Sequence, residues 1–101
     1  MEILLVRGVV RPGSHDAFID ASARYNSARD AAGLPVYRRL VETDAGDDDV
    51  VVFICEFTSV AEIERAEQML QSQAELKDAV AVMYEHLVRD SVTAMTLRDV
   101  D

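Results

Sequence analysis

The stretch Val50-Val51-Val52-Phe53-Ile54-Cys55-Glu56-Phe57 decides how the chain is read. Successive side chains of a strand point to opposite faces, so Val51, Phe53, Cys55 and Phe57 share one side while Val50, Val52 and Ile54 share the other. Both sides are apolar. An antiparallel strand covered on one side alternates apolar with polar residues, so this strand needs cover on both. The run EILLVRGVVR at 2–11 behaves in the same way, with Ile3, Leu5 and Val9 opposing Leu4, Val6 and Val10.

Working outward from these two strands, the punctuation is clear. Pro12-Gly13 ends the first strand, and Ser14 can cap a helix whose residues Phe18, Ala21, Tyr25, Ala28 and Ala32 recur at three- and four-residue spacing. Gly33 closes that helix and Pro35 prevents its resumption. Val36 to Thr43 is a further β-prone run, joined to Val50–Phe57 by the acidic connection 44–49, which predicts a hairpin. Ser59-Val60-Ala61-Glu62 has the capping-box pattern, in which Glu62 reaches back to the Ser59 N–H, and it opens a helix with Val60, Ile63, Ala66 and Leu70 on its buried side. A polar interruption at 71–73 breaks or kinks this helical region near Ser72 before Leu76, Ala79, Val80, Met83 and Leu87 resume a stripe. Ser91 to Arg98 alternates and is β-prone, which predicts a last strand.

The order strand, helix, strand, strand, helix, strand is the ferredoxin-like βαββαβ arrangement, an α+β fold with a four-stranded antiparallel sheet and helices on one face. The whole chain, 1–101, reads as one domain of this kind. The second sheet face is left bare yet apolar, and no spare segment is available to cover it. A contiguous patch of that sort is rarely tolerated by a soluble monomer, so the expected cover is a second copy related by a two-fold axis.

Composition narrows the partners. Nineteen acidic against ten basic residues give a net charge of -9, which repels phosphate backbones and anionic lipid, so neither nucleic acid nor membrane is expected. The N-terminus has neither the basic flank nor the small-residue site of a signal peptide, and the single cysteine, Cys55, has no disulfide partner within the chain; a cytoplasmic, reducing location is expected.

Arg11-Pro12-Gly13 with Phe18, Gly33-Leu34-Pro35-Val36-Tyr37-Arg38, and Glu56-Phe57-Thr58-Ser59 leading into Ala61-Glu62 make the chain resemble the dimeric α+β barrel superfamily. Within it, the resemblance is to the antibiotic biosynthesis monooxygenase-like and NIPSNAP-like groups. The resemblance implies a homodimer whose sheets close a barrel, with a cleft between helices and sheet in each subunit. It also implies a range of activities, from cofactor-independent oxygenation of aromatic compounds through haem degradation and isomerisation to none assigned. The chain departs from many oxygenase and haem-degrading members in having no tryptophan, with Phe57 where many carry one. That departure counts against haem degradation first and oxygenation second.

No phosphate loop, dinucleotide fingerprint, nucleophile elbow or paired-histidine signature is present, so no metal, flavin or haem is expected. Catalysis would have to come from dispersed residues. His86 lies on the flank of the last helical stripe, where its ring could reach the cleft or cap helix-end carbonyls. Tyr25 on the first helix and Tyr37 on the second strand could orient or deprotonate an aromatic substrate, or serve as core residues with the hydroxyl at the rim. Arg38 and Arg39 point to opposite faces, and Glu56 could pair across strands with either. His15 is expected at the surface and Cys55 as a small buried hydrophobe. The run Asp47-Asp48-Asp49 lacks the ligand spacing of a calcium loop and reads as a solvated hairpin tip.

The composite expectation is a homodimer with an apolar cleft for a hydrophobic or aromatic metabolite. Two functional classes follow: a cofactor-independent monooxygenase-like enzyme or isomerase, using Tyr25, Tyr37 and His86, or a noncatalytic binding or assembly module. A cleft with convergent polar groups favours the enzyme, and one filled by Phe18, Met69 and Met83 favours the module.

Overall fold

The computed structural model describes residues 1–100. Its elements run β1 (Glu2–Val9), α1 (His15–Ala31), β2 (Arg38–Val41), β3 (Val50–Phe57), α2 (Val60–Ser72), α3 (Ala74–Tyr84) and β4 (Thr93–Arg98). The sheet is antiparallel throughout in the order β2-β3-β1-β4, the ferredoxin-like arrangement expected from the sequence. The two strands apolar on both faces, β1 and β3, occupy its centre.

Register divides the sheet into two faces. Leu4 opposes Cys55, Val6 opposes Phe53 and Gly8 opposes Val51, and this side carries the core with Phe18, Ala21 and Tyr25 of α1, Ile63 and Ala66 of α2, and Leu76 and Met83 of α3. The other side presents Ile3, Leu5, Val52 and Ile54 at its centre, half-buried, with Leu40, Met95 and Leu97 exposed beside them. Around this apolar band stand Arg38, Glu56 and the Arg7–Glu42 pair, whose Nε–Oε2 distance is 2.7 Å.

Local chemistry explains most boundaries. Helix α1 ends in a turn where Gly33 takes φ +76, a conformation costly for residues with a Cβ, while the Gly33 and Leu34 N–H groups donate to Asp30 and Arg29 carbonyls. Ser59 caps α2 by accepting from the Glu62 N–H at 3.3 Å. The Glu62 carboxylate reaches past Ser59, however, and accepts from the Thr58 N–H and hydroxyl, so the reciprocal half of the expected box is moved one residue outward. The interruption near Ser72 is real: extended Gln73 (φ -101, ψ 112) separates α2 from α3.

Several local expectations need correction. Ser14 flanks α1 but makes no side-chain cap bond. Val60 is exposed at the first turn of α2, because the apolar stripe begins only at Ile63. Glu56 pairs with neither arginine, since β2 covers only Val51 to Ile54 of β3 and stops short of it. Helix α3 ends at Tyr84, so Leu87 joins the core from beyond the helix, through an isolated bridge to Val10.

Candidate functional site

Helix α1 turns a single stripe inward: Phe18, Ala21, Ser22, Tyr25 and Arg29, repeating at helical spacing. The last member is a charged residue only 3 % exposed. Removing a guanidinium from water costs several kcal/mol unless its donors are satisfied. Here Nε donates to the Pro35 carbonyl at 2.8 Å, Nη1 to the Tyr25 hydroxyl at 3.1 Å, and Nη2 to the Cys55 thiol at 3.7 Å. The guanidinium carbon also stands 4.6 Å from the Tyr37 ring centroid and 5.5 Å from that of Tyr25, within range of the attraction between a cation and an aromatic face.

The same helix is stitched to the segment entering β2 at three successive turns. Below the Arg29–Pro35 bond, the Asn26 side-chain amide donates to the Tyr37 carbonyl at 2.9 Å and accepts from the Tyr37 N–H at 2.8 Å, standing in for a neighbouring strand. Below that, Arg39 Nη1 donates to the Ser22 hydroxyl at 2.8 Å and the Ile19 carbonyl at 3.2 Å. Arg39 is thus the arginine on the helix side, and Arg38 faces away, opposite Ile54. These bonds fix Tyr37 against Tyr25, with centroids 6.1 Å apart and planes at 28°, and edge-on to Phe53 at 5.9 Å.

A cleft of about 300 Å³ opens between this polar seam and the other two helices. Leu4, Val6, Phe53, Phe57 and Ala94 form its floor on the sheet. Ile63, Ala66 and Leu70 of α2, with Val80, Met83 and Tyr84 of α3, form the far wall; Glu67 contributes a carboxylate. Ser22, Tyr25, Asn26, Arg29 and Tyr37 bring the polar groups from the near side. The volume is at the small end for ligand sites, and the mostly apolar lining with a few convergent polar groups is the usual make-up of one.

Of the three residues singled out from sequence, the structure brings Tyr25 and Tyr37 together in this cleft; His86 is not among its lining residues. His86 falls in the turn after α3, where its carbonyl accepts from the Arg11 N–H at 2.8 Å and its N–H donates to Met83. The Arg11 guanidinium draws the same turn in by donating to the Glu85 and Leu87 carbonyls. Neither Phe18 nor Met69 fills the cleft, and Met83 only borders it. Arg29 and Asn26 were not anticipated. The available signal was position: Arg29 is four residues after Tyr25, on a stripe read for its apolar members alone.

Protonation follows from burial. Desolvation pushes the Tyr37 phenol well above its ordinary value, against a smaller opposing pull from Arg29, and raises the Tyr84 phenol as well. Near neutral pH both phenols are therefore neutral donors, unsuited to removing a proton. Burial likewise raises the Cys55 thiol, despite Arg29 nearby, so it is a neutral group that donates toward the Pro35 carbonyl.

Over its whole length the chain superposes on an antibiotic biosynthesis monooxygenase, at 17% sequence identity and a TM-score of 0.76, covering all of both chains. A NIPSNAP domain protein from Burkholderia xenovorans matches at 12% identity and a TM-score of 0.79, over 99% of this chain and 95% of that one. The fold is the one these two groups share. A NIPSNAP family protein from Agrobacterium tumefaciens adds a further match, at 15% identity and a TM-score of 0.75 over 100% and 95% of the two chains. At such identities the likeness is one of fold. No protein-family model and no curated protein matches the sequence.

Proposed function

We propose that this chain forms a homodimer through its outer sheet face and binds a hydrophobic or aromatic metabolite in the cleft between helices and sheet. The observation that carries the ligand half is the cleft itself: about 300 Å³ walled by apolar side chains, with Tyr25, Asn26, Arg29 and Tyr37 converging on one side. Stacked and edge-on rings from Tyr25, Tyr37 and Phe53 give a planar ligand aromatic surface to meet. The dimer half rests on the band Ile3, Leu5, Leu40, Val52, Ile54, Met95 and Leu97, which covers the sheet face opposite the one on which α1, α2 and α3 pack. Charges of both signs flank that band, as a self-complementary interface needs.

Within this reading, monooxygenase-like turnover of the ligand without a bound cofactor is favoured over a noncatalytic module, because polar groups converge on the cleft rather than methionines filling it. Tyr25, Tyr37 and Arg29 would act as donors that orient the ligand. A thermal-shift screen of aromatic metabolites tests binding, since a ligand specific for the folded state raises Tm by mass action. An oxygen electrode then tests turnover: ligands that raise Tm without consuming dioxygen or changing chemically would leave the module reading.

A further inference from the structure

Arg29 is the one cation buried among the described residues, and no carboxylate among them lies within 4.0 Å of it. Its partners are a carbonyl oxygen, a tyrosine hydroxyl and a thiol, none of them a carboxylate. A buried charge is ordinarily paired, because neutral hydrogen bonds recover only part of its lost hydration. A guanidinium has five N–H donors, and the three bonds in place leave two unused, while the 3.7 Å bond to sulfur is a weak one. Arg29 also borders the cleft, beside the rings of Tyr25 and Tyr37, the second of which meets Phe53 edge-on.

We propose that the cleft selects an aromatic anion, whose carboxylate or phenolate oxygen lies against the Arg29 guanidinium while its ring meets Tyr37 and Phe53. The inference rests on the aromatic-cleft reading above and adds the charge. A net charge of -9 disfavours anions elsewhere on the molecule, and Glu67 does so on the far wall of the cleft, so the buried Arg29 confines an anion to the near side, beside Tyr25 and Tyr37. The Tyr37 hydroxyl, kept protonated by burial, and the Tyr25 hydroxyl beside it are donors suited to the same oxygen. In the low dielectric of the cleft the attraction is screened little by salt, so the preference should persist at high ionic strength.

The test is calorimetric titration of the full-length protein with four probes: 2-naphthoate against neutral 2-naphthamide, and 4-nitrophenol at a pH where it is ionised against 4-nitroanisole. In at least one pair the anion should bind about tenfold tighter or more, and the pair that shows it says whether carboxylate or phenolate is preferred. The Arg29 Nε–H resonance should shift on adding that anion. In Arg29→Gln the preference should fall below about threefold, with Arg29→Lys restoring part of it. Should Arg29→Gln not fold, the wild-type pairs and the Arg29 resonance still decide. Equal binding within both pairs would overturn the anion inference and leave the aromatic cleft standing, whereas no binding by any of the four would overturn both. A preference undiminished in a folded Arg29→Gln protein would remove Arg29 from the site.

Discussion

Arg29 and Tyr25 share a hydrogen bond inside the core, and Tyr25→Phe removes the oxygen that accepts from Nη1 while leaving the ring that the guanidinium faces. Hydrogen bonds to charged groups contribute more than neutral ones, so the substitution should cost about 1.5–3 kcal/mol. It should appear as a lower urea midpoint with an unchanged slope. Tyr37 gives a test in pH. Its ordinary phenol value is 10.0, and burial raises it in the folded protein. Above pH 10 the unfolded chain therefore loses this proton while the folded chain keeps it, and the stability contributed below that value declines as pH rises. Urea midpoints measured between neutral and strongly alkaline pH should fall, and Tyr37→Phe should lessen that fall. Tyr37 was visible in the sequence as a candidate, but its state was not, because desolvation depends on what packs around the ring.

The elements are held mainly by short-range chemistry, and their ends can be tested one at a time. Gly33 closes α1 at φ +76 with open space where a Cβ would stand, so Gly33→Ala carries the backbone penalty without a clash and should cost about 1 kcal/mol. Ser59→Ala removes the α2 cap and should cost about 1 kcal/mol as well. Thermal unfolding of the two variants measures both. The strand β3 and both helix-flanking signals, Gly33 and Ser59, were legible because each depends on residues within a few positions. Strand β2 is shorter than the β-prone run 36–43 that contains it, since an edge strand's extent is set by how much of its neighbour it pairs with. Helix α3 likewise ends before its apolar stripe does: Leu87 continues the stripe in sequence but reaches the core through its bridge to Val10.

At the scale of the whole molecule the two faces of β3 allow folding and the proposed association to be tested separately. Phe53 is buried against the helices and stacks with Phe18 at 5.6 Å, so Phe53→Lys buries an unpaired charge and should prevent cooperative folding. Ile54 lies on the outer face between Leu5 and Arg38, so Ile54→Lys should leave the circular dichroism of a folded subunit while sedimentation equilibrium reports a monomer. A wild-type protein that sediments as a monomer at micromolar concentration would refute the dimer.

By itself the sequence determined the layered plan: which runs are strands, where helices begin and break, and that both faces of the central strands are apolar, because strand alternation, helical spacing and caps act over a few neighbouring residues. Tertiary structure alone decided the site. Arg29, Pro35, Tyr37 and Cys55 meet only once α1 has packed on the sheet, and that packing carried Arg29 into the core while leaving His86 in a turn held by Arg11. Charge, burial and the company a side chain keeps are set by contacts distant in the chain, which no local pattern encodes.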